Sequence, residues 1–253
     1  MKIGVIGLVL IGGSIFKNLS IKHDVVGVSN SVTLDNVSKE YGILKDCDLV
    51  FVCTPMNVTL EVLDKLEAIL NPNTIVTDVC SLKEFVSKKQ YSYKFIPSHP
   101  MAGTENSGWD SSFPELFANA KWVITPINGE VLPEQDVLEE IIKDLGANVI
   151  TTTPEEHDNA VALISHFPLV VAQALCENIK DNKLAQELAS SGFRDTTRLA
   201  LSNVQMACDM VELNEANIVS AYEGFKNCFS NLLGKNYKEQ AEDIKIFRKN
   251  CYK

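Results

Sequence analysis

The chain has little of three things: basic charge, patterned cysteine and long apolar runs. Its 23 lysines and arginines are outnumbered by 33 aspartates and glutamates, so no basic surplus is available to neutralise the phosphates of a nucleic acid or an acidic membrane. Its seven cysteines are scattered without a Cys-x-x-Cys pair, which predicts reduced, mostly buried thiols in a cytoplasmic protein and no zinc site. No run of about 18 apolar residues appears, so we expect no membrane span.

The first part of the 253-residue chain alternates strand-like and helix-like patterns. The segment 2–6 is already strand-like and lacks the regions of a signal peptide. Apolar residues recur at helical spacing over 11–19 and 56–70. Short apolar runs separated by helices indicate a parallel sheet covered on both faces. The runs lie at 3–6, 25–28, 48–53, 74–79, 94–96, 122–125 and 148–150.

After Thr153 the β-branched runs stop and long helical patterns take over. Pro154 suits the first turn of a helix, and this helix is predicted to run through Leu175, tolerating or kinking at Pro168. Further helices are predicted over about 209–233 and 238–249. The fold class is therefore α/β, with a Rossmann-like nucleotide-binding domain followed by an all-α domain. We place these domains at residues 1–153 and 154–253.

A glycine-rich loop follows the first strand and opens a helix. Gly7 and Gly12 fit the first and third glycines of the dinucleotide fingerprint G-x-G-x-x-G, but Val9 stands in place of the second. The branched side chain is expected to weaken cofactor binding, to shift the cofactor or to be absorbed by a small loop change. The amides at the helix start, at Leu10 and Ile11, still favour a phosphate. A tight turn without a ligand is the alternative.

The ends of the second and third strands carry the other candidate cofactor contacts. An acidic residue usually follows the second strand and holds the ribose hydroxyls, but Ser29, Asn30 and Ser31 occupy this stretch. The missing acid leans the prediction toward NADP, although hydroxyls and an amide suit NAD as well, and an ordinary polar turn is the alternative. Thr54 and Pro55 end the next strand at the same edge of the sheet.

Two candidates for the chemistry follow later strands. His99 is expected just past a strand end, where α/β folds build their sites, and an imidazole there can accept a proton from a substrate hydroxyl. Ser81 follows the fourth strand, but it also reads as a helix cap with Glu84 as its capping-box partner. A structural histidine is the plain alternative for His99.

The helical part carries its own polar candidates. They are the pairs His157-Asp158 and Ser165-His166, followed by Arg194 and Arg198. The two arginines are four residues apart and share a face if the segment is helical, and a guanidinium binds a carboxylate through its fork. The alternatives are a surface ion pair of an arginine with Asp195, and buried histidines whose hydrogen bonds are satisfied within the protein.

Taken together, these segments resemble the prephenate/arogenate dehydrogenase family of tyrosine biosynthesis. The resemblance implies an N-terminal nucleotide-binding domain, a helical domain that forms a homodimer, and a small-molecule substrate without nucleic-acid or membrane partners. The segments that carry it are Gly4-Val5-Ile6-Gly7, Thr77-Asp78-Val79, His99-Pro100-Met101-Ala102-Gly103, Glu156-His157-Asp158, Ser165-His166 and Ser191 to Arg198.

The resemblance also implies a reaction, the NAD(P)-dependent oxidative decarboxylation of prephenate or arogenate. His99 would be the catalytic histidine on the ring 4-hydroxyl, with Ser81 beside that hydroxyl and the nicotinamide. Arg198 would bind a substrate carboxylate, with His166 and Arg194 as further substrate-site residues.

The sequence leaves two alternatives open. One is a dehydrogenase of the same build that acts on a hydroxy acid or an imine, for which a base on the helical domain is expected instead of His99. The other is a non-catalytic dimeric ligand-sensing relative, marked by the valine in its fingerprint.

Overall fold

The N-terminal half forms a six-stranded parallel sheet in the order β3-β2-β1-β4-β5-β6. The computed structural model describes residues 1–104, 106–234 and 236–251. Because the strand order reverses between β1 and β4, the carboxyl ends of these strands border the crevice in which such sheets bind nucleotides. The strands are β1 (Lys2–Ile6), β2 (Asp24–Val28), β3 (Val37–Ser38), β4 (Leu49–Val52), β5 (Ile75–Asp78) and β6 (Lys94–Phe95). The predicted Rossmann-like α/β fold is confirmed.

Helices cover both faces of this sheet. Strand β4 is buried throughout, and its alternate residues enter different cores, Phe51 on one face and Val52 on the other. Two helices, α1 (Leu10–Leu19) and α3 (Gln135–Asp144), pack on the Phe51 face, and α2 (Met56–Leu66) packs on the opposite face. A strand buried on both sides needs a continuous apolar run, which explains why the sequence shows no alternation here.

Three later strands form a separate sheet, so the expectation of one parallel sheet is wrong for them. They are β7 (Ser98–Pro100), β8 (Lys121–Ile124) and β9 (Asn148–Thr151), with β7 antiparallel to β8 and β8 parallel to β9. Pro97 lies two residues past the short β6, and its carbonyl accepts the amide of Thr125 at 3.0 Å. This hydrogen bond joins the segment to the end of β8. His99 therefore lies within a strand and not past the end of one.

The C-terminal half is helical. The predicted helix at 154 passes Pro168 by combining α4 (Pro154–Val161), a π-helical turn (Ala162–His166) and α5 (Phe167–Asn178). A proline has no amide to donate, and the wider turn just before it absorbs the interruption. Thr153 and Glu156 form the capping box that starts α4.

The predicted helix at 209–233 is in fact two helices, because Asn214 breaks it. The last predicted helix is present. The remaining helices are α6 (Lys183–Leu188), α7 (Ser191–Thr196), α8 (Val204–Leu213), α9 (Glu215–Leu232) and α10 (Tyr237–Asn250).

The helical half leaves much apolar surface exposed in the single chain. The continuous helix Pro154–Asn178 is long and apolar enough to cross a membrane by length and composition, with a mean hydropathy of 1.6 over its most apolar window, of which 33% is buried. The larger exposed apolar side chains include Leu163, Ile164, Leu188, Leu201, Val219, Phe229 and Phe247.

Three of the seven cysteines are exposed and only three are buried, so the prediction of mostly buried thiols is wrong.

Candidate active site

Two glycines of the fingerprint loop are required by the backbone. Gly7 has φ +86°, and a Cβ there would lie 2.4 Å from the carbonyl oxygen of Cys53. A Cβ on Gly12 would lie 2.1 Å from the carbonyl oxygen of Gly7. Both contacts are shorter than any side chain tolerates, so the turn between β1 and α1 depends on glycine at these two positions.

Val9 fits its position without strain. Its φ of −96° and ψ of −151° are ordinary extended values, and its side chain is 46% exposed. No described side chain caps α1, and its first turn has no acidic residue, so the amides of Leu10 and Ile11 remain available to an anion. The loop therefore fits the diphosphate of a dinucleotide, with the valine at the surface that the diphosphate would approach.

The other cofactor candidates lie at the carboxyl ends of β2 and β4. The Ser29 hydroxyl accepts the amides of Ser31 and Val32, each at 3.2 Å, and so closes a tight polar turn. The Thr54 hydroxyl lies 2.9 Å from that of Thr59. Pro55 directly precedes α2. All of these candidates share the edge at which Gly7 ends β1.

A buried polar network joins β5 to β7 beneath His99. The Lys83 ammonium is paired with the Asp78 carboxylate and donates to the carbonyl of Ser98 at 2.6 Å. The Ser98 hydroxyl lies 2.7 Å from the Thr77 hydroxyl and accepts the Trp122 indole N–H at 2.9 Å. The side chains of Lys83 and Asp78 are fully buried. This junction network, Thr77, Asp78, Lys83, Ser98 and Trp122, fixes the backbone on which His99 stands.

His99 lies against His157 of α4. Its Nδ1 is 3.0 Å from Nε2 of His157, and the two rings meet edge to face at 77°. Burial lowers the pKa of His99 well below its ordinary value, and the positive charge of the neighbouring Lys83 lowers it further. The ring is therefore neutral near pH 7, which is the form that accepts a proton.

The alternative interpretation of Ser81 as a helix cap with Glu84 is wrong. The amides of Lys83 and Glu84 donate instead to the two carboxylate oxygens of Asp158, at 2.8 and 2.9 Å. Asp158 belongs to α4, so this clamp joins the helical half to the loop after β5. Ser81, half-buried, lies in that same loop, two residues before Lys83.

His166 is held by Asn214, the residue that splits the predicted helix. The Asn214 side-chain amide donates to the carbonyl of Asp158 at 2.9 Å, which identifies the atom as nitrogen, and it lies 3.1 Å from Nδ1 of His166. Nδ1 must then accept, so His166 carries its proton on Nε2. Burial lowers the pKa of His166 to about 4, which keeps the ring neutral.

The two arginines are not brought to His99 by any contact between described residues. Arg194 lies in α7 and pairs with Asp195 at 3.0 Å, and both side chains are exposed. Arg198 lies past the end of this helix, in a separate 3-10 turn, and is also exposed. The expectation of one helical face shared by both arginines is wrong, because Thr197 departs from helical geometry with ψ 7°.

The structure thus assembles His99, His157, Asp158 and His166 through hydrogen bonds that include Lys83 and Asn214. The last two were not among the predicted site residues. Lys83 stands five residues after Asp78, but its burial depends on the separate sheet that the sequence does not reveal. Asn214 gives no sequence signal, because its role depends on the spatial position of His166.

Comparison with known proteins decides the family. The family model for the prephenate dehydrogenase nucleotide-binding domain matches residues 21–151, and the model for the prephenate dehydrogenase dimerization domain matches residues 153–248. The chain belongs to the prephenate dehydrogenase family. The resemblance drawn from the motifs is confirmed, and the alternative of a different dehydrogenase of the same build is set aside.

Relatives of known structure or function agree. Prephenate dehydrogenase of Lactococcus lactis is 30% identical over 97% of this chain and 74% of its own length. Synechocystis arogenate dehydrogenase is 33% identical, with a TM-score of 0.82 and coverage of 99% of this chain and 97% of that one. Prephenate dehydrogenase from Aquifex aeolicus, solved with hydroxyphenyl propionate and NAD+, is 26% identical, with a TM-score of 0.83 and coverage of 100% and 96%. This family member is thus an oxidoreductase with an NAD(P)-binding domain.

Proposed function

We propose that this chain catalyses the NAD(P)-dependent oxidative decarboxylation of a cyclohexadienol carboxylate, prephenate or arogenate, in the cytoplasm. The observation that supports it most strongly is the neutral His99, held against His157 at 3.0 Å on a strand anchored by buried hydrogen bonds. A single base of this kind is what the oxidation of a ring alcohol requires. Residues 1–153 are proposed to bind the cofactor and residues 154–253 to form the dimer.

Each of the site residues has a proposed role in this reaction. His99 accepts the proton of the ring 4-hydroxyl, and Ser81 lies beside that hydroxyl. His166, with its proton on Nε2, is assigned to the substrate site, and Arg198 binds a substrate carboxylate. A bound nicotinamide supplies the acceptor for the hydride that leaves C4 of the ring. The resulting dienone loses its ring carboxylate as carbon dioxide, because this step restores aromaticity, and much of the rate comes from holding the reactants in register.

Arg198 is expected to contribute to substrate binding. Its replacement by alanine should raise KM for the substrate by about 10- to 100-fold, because a charge-assisted hydrogen bond contributes about 1.5–3 kcal/mol, while kcat changes less. Steady-state kinetics at saturating cofactor measures both constants. Arg198→Lys, which keeps the charge but loses the fork, should be intermediate. An unchanged KM in the alanine variant would remove Arg198 from the substrate site.

Val9 is expected to reduce cofactor affinity. Val9→Gly should lower the cofactor Kd, because it removes the side chain from the surface that the diphosphate approaches and leaves the α1 amides in place. Titration of cofactor against tryptophan fluorescence measures the effect. Val131→Gly, a matched change at an exposed valine elsewhere, should leave Kd unchanged. An unchanged Kd in Val9→Gly would show that the valine does not weaken cofactor binding.

We further propose NADP as the preferred cofactor. No acid follows β2 to repel a 2′-phosphate, and the hydroxyls of Ser29 and Ser31 lie at this turn together with the amide of Asn30. Comparing kcat/KM with NADP and with NAD for the same substrate checks this preference. A higher value with NAD would reverse it.

We also propose that the chain works as a homodimer built through its helical half. The support is the apolar surface of this half, which includes Leu163, Ile164 and Phe229, because patches of this kind mark interfaces. Light scattering on the eluted protein should give twice the mass of the chain. A monomer at micromolar concentration would contradict the proposal.

The reaction is tested by mixing purified protein with prephenate or arogenate and with NAD or NADP, in all four combinations, and recording the absorbance of reduced nicotinamide. Activity in at least one combination is expected, and the most active one identifies substrate and cofactor together. Silence in all four from a folded protein that binds cofactor would favour the non-catalytic alternative.

A further inference from the structure

A row of hydrogen bonds runs from His99 into the helical half and ends at a carboxylate. Nδ1 of His99 lies 3.0 Å from Nε2 of His157, and Nδ1 of His157 lies 2.7 Å from Oδ1 of Asp158. His157 and Asp158 are both buried. The row therefore links the proposed base to a buried acid through a second imidazole.

The hydrogen bonds of Asp158 determine where its neighbour carries a proton. Its two oxygens already accept the backbone amides of Lys83 and Glu84, so the carboxylate acts only as an acceptor. Nδ1 of His157 must then be the donor. In a neutral imidazole the other nitrogen is an acceptor, so Nε2 of His157 accepts from His99.

Toward a neutral His157, Nδ1 of His99 is the donor. This leaves Nε2 of His99 without a proton and free to accept one. We propose that His157 and Asp158 are positioning residues that hold His99 in this tautomer and stabilise the positive charge that it gains on accepting a proton at Nε2. The proposal rests on the proposed function, in which His99 accepts the proton of the substrate hydroxyl.

The proton of the substrate hydroxyl is transferred to His99. As hydride leaves C4 for the nicotinamide, the O–H bond of the hydroxyl breaks, its electron pair forms the carbonyl, and the proton binds Nε2 of His99. The Nδ1–H of His99 then faces the lone pair of His157, so the positive charge is shared toward the Asp158 carboxylate. Among the described residues, His99 also faces Lys83, which is paired with Asp78, and the neutral His166. The Lys83 ammonium favours the uncharged form of His99 before the reaction.

Two variants of His157 separate positioning from structure. His157→Met keeps a side chain of similar size but removes the acceptor, so kcat should fall by about 10²-fold while KM changes little. His157→Gln can accept the Nδ1–H through Oε1 and should keep most of kcat. The acid limb of the kcat profile should shift in the Met variant. Equal kcat in the Met variant and the wild type would overturn the proposal.

A second measurement does not depend on turnover. Nitrogen NMR of ¹⁵N-histidine-labelled protein without substrate reports which ring nitrogen carries the proton, and the His99 signals are assigned by their loss in a His99 variant. We expect the Nδ1–H form in the wild type and in His157→Gln, and loss of this preference in His157→Met. The Nε2–H form in the wild type would overturn the proposal. The expected tautomer without activity in any substrate combination would instead overturn the proposed function.

Discussion

Replacing His99 by alanine should lower kcat by about 10²–10⁴-fold, the usual contribution of a positioned general base. KM for the substrate and Kd for the cofactor should change little, because the diphosphate and carboxylate contacts are proposed to be made by other residues. The pKa of His99 is lowered well below its ordinary value of 6.5, so at pH 7 the ring is already in the neutral form that can accept a proton. Steady-state kinetics with the better substrate measures the loss.

The pH dependence of kcat/KM provides a second test of the role of His99. The proposed base must be neutral to accept a proton, so kcat/KM should stay level as the pH falls through 6.5 and decline only at the lower pH where His99 becomes protonated. His23→Ala is the matched control, because His23 lies beside Asp144 at the opposite edge of the sheet and should leave kcat unchanged. A His99→Ala variant with wild-type turnover would show that another group accepts the proton.

The largest expected effect on stability belongs to Lys83. Lys83→Met should lower the free energy of unfolding by about 3–5 kcal/mol, because it strands the Asp78 carboxylate in a fully buried site without its partner. The Ser98 carbonyl loses its donor at the same time. Urea unfolding at a fixed protomer concentration measures the change, since the stability of the proposed dimer would depend on concentration.

Two further variants define this result. Lys89→Met removes an exposed ion pair with Asp64 and should cost no more than about 1 kcal/mol. The double variant Asp78→Leu with Lys83→Met should be less destabilised than Lys83→Met alone, because it no longer leaves a buried charge unpaired. If Lys83→Met were no worse than Lys89→Met, the buried pair would contribute nothing measurable to the fold.

The fold was predictable where local signals agree with tertiary structure. The fully buried β4 needs an apolar run at 49–52, and the turn after β1 needs glycine at positions 7 and 12. The separate sheet was not predictable in this way, because β8 and β9 show the same apolar runs as strands of the main sheet. Their placement depends on the hydrogen bond between the Pro97 carbonyl and the Thr125 amide, which joins distant parts of the chain.

The site residues were likewise predictable only where a local sequence signal identifies them. His99, His157 and His166 were candidates because a histidine beside a strand end or among apolar helix residues is recognisable in sequence. The roles of Lys83 and Asn214 were missed, since each depends on a partner brought close only by folding. The alternative interpretation of Ser81 as a cap failed for the opposite reason: its local motif was complete, but Asp158 accepts the amides that a cap would have bound.

The most direct test of the account is the stoichiometry of one reaction. Purified protein is given prephenate or arogenate with the better cofactor, and reduced nicotinamide and carbon dioxide are measured in the same sample. The account predicts that the two products appear in equal amounts, and that both fall together in His99→Ala. Carbon dioxide without reduced nicotinamide, or no product from a folded protein that binds the cofactor, would contradict it.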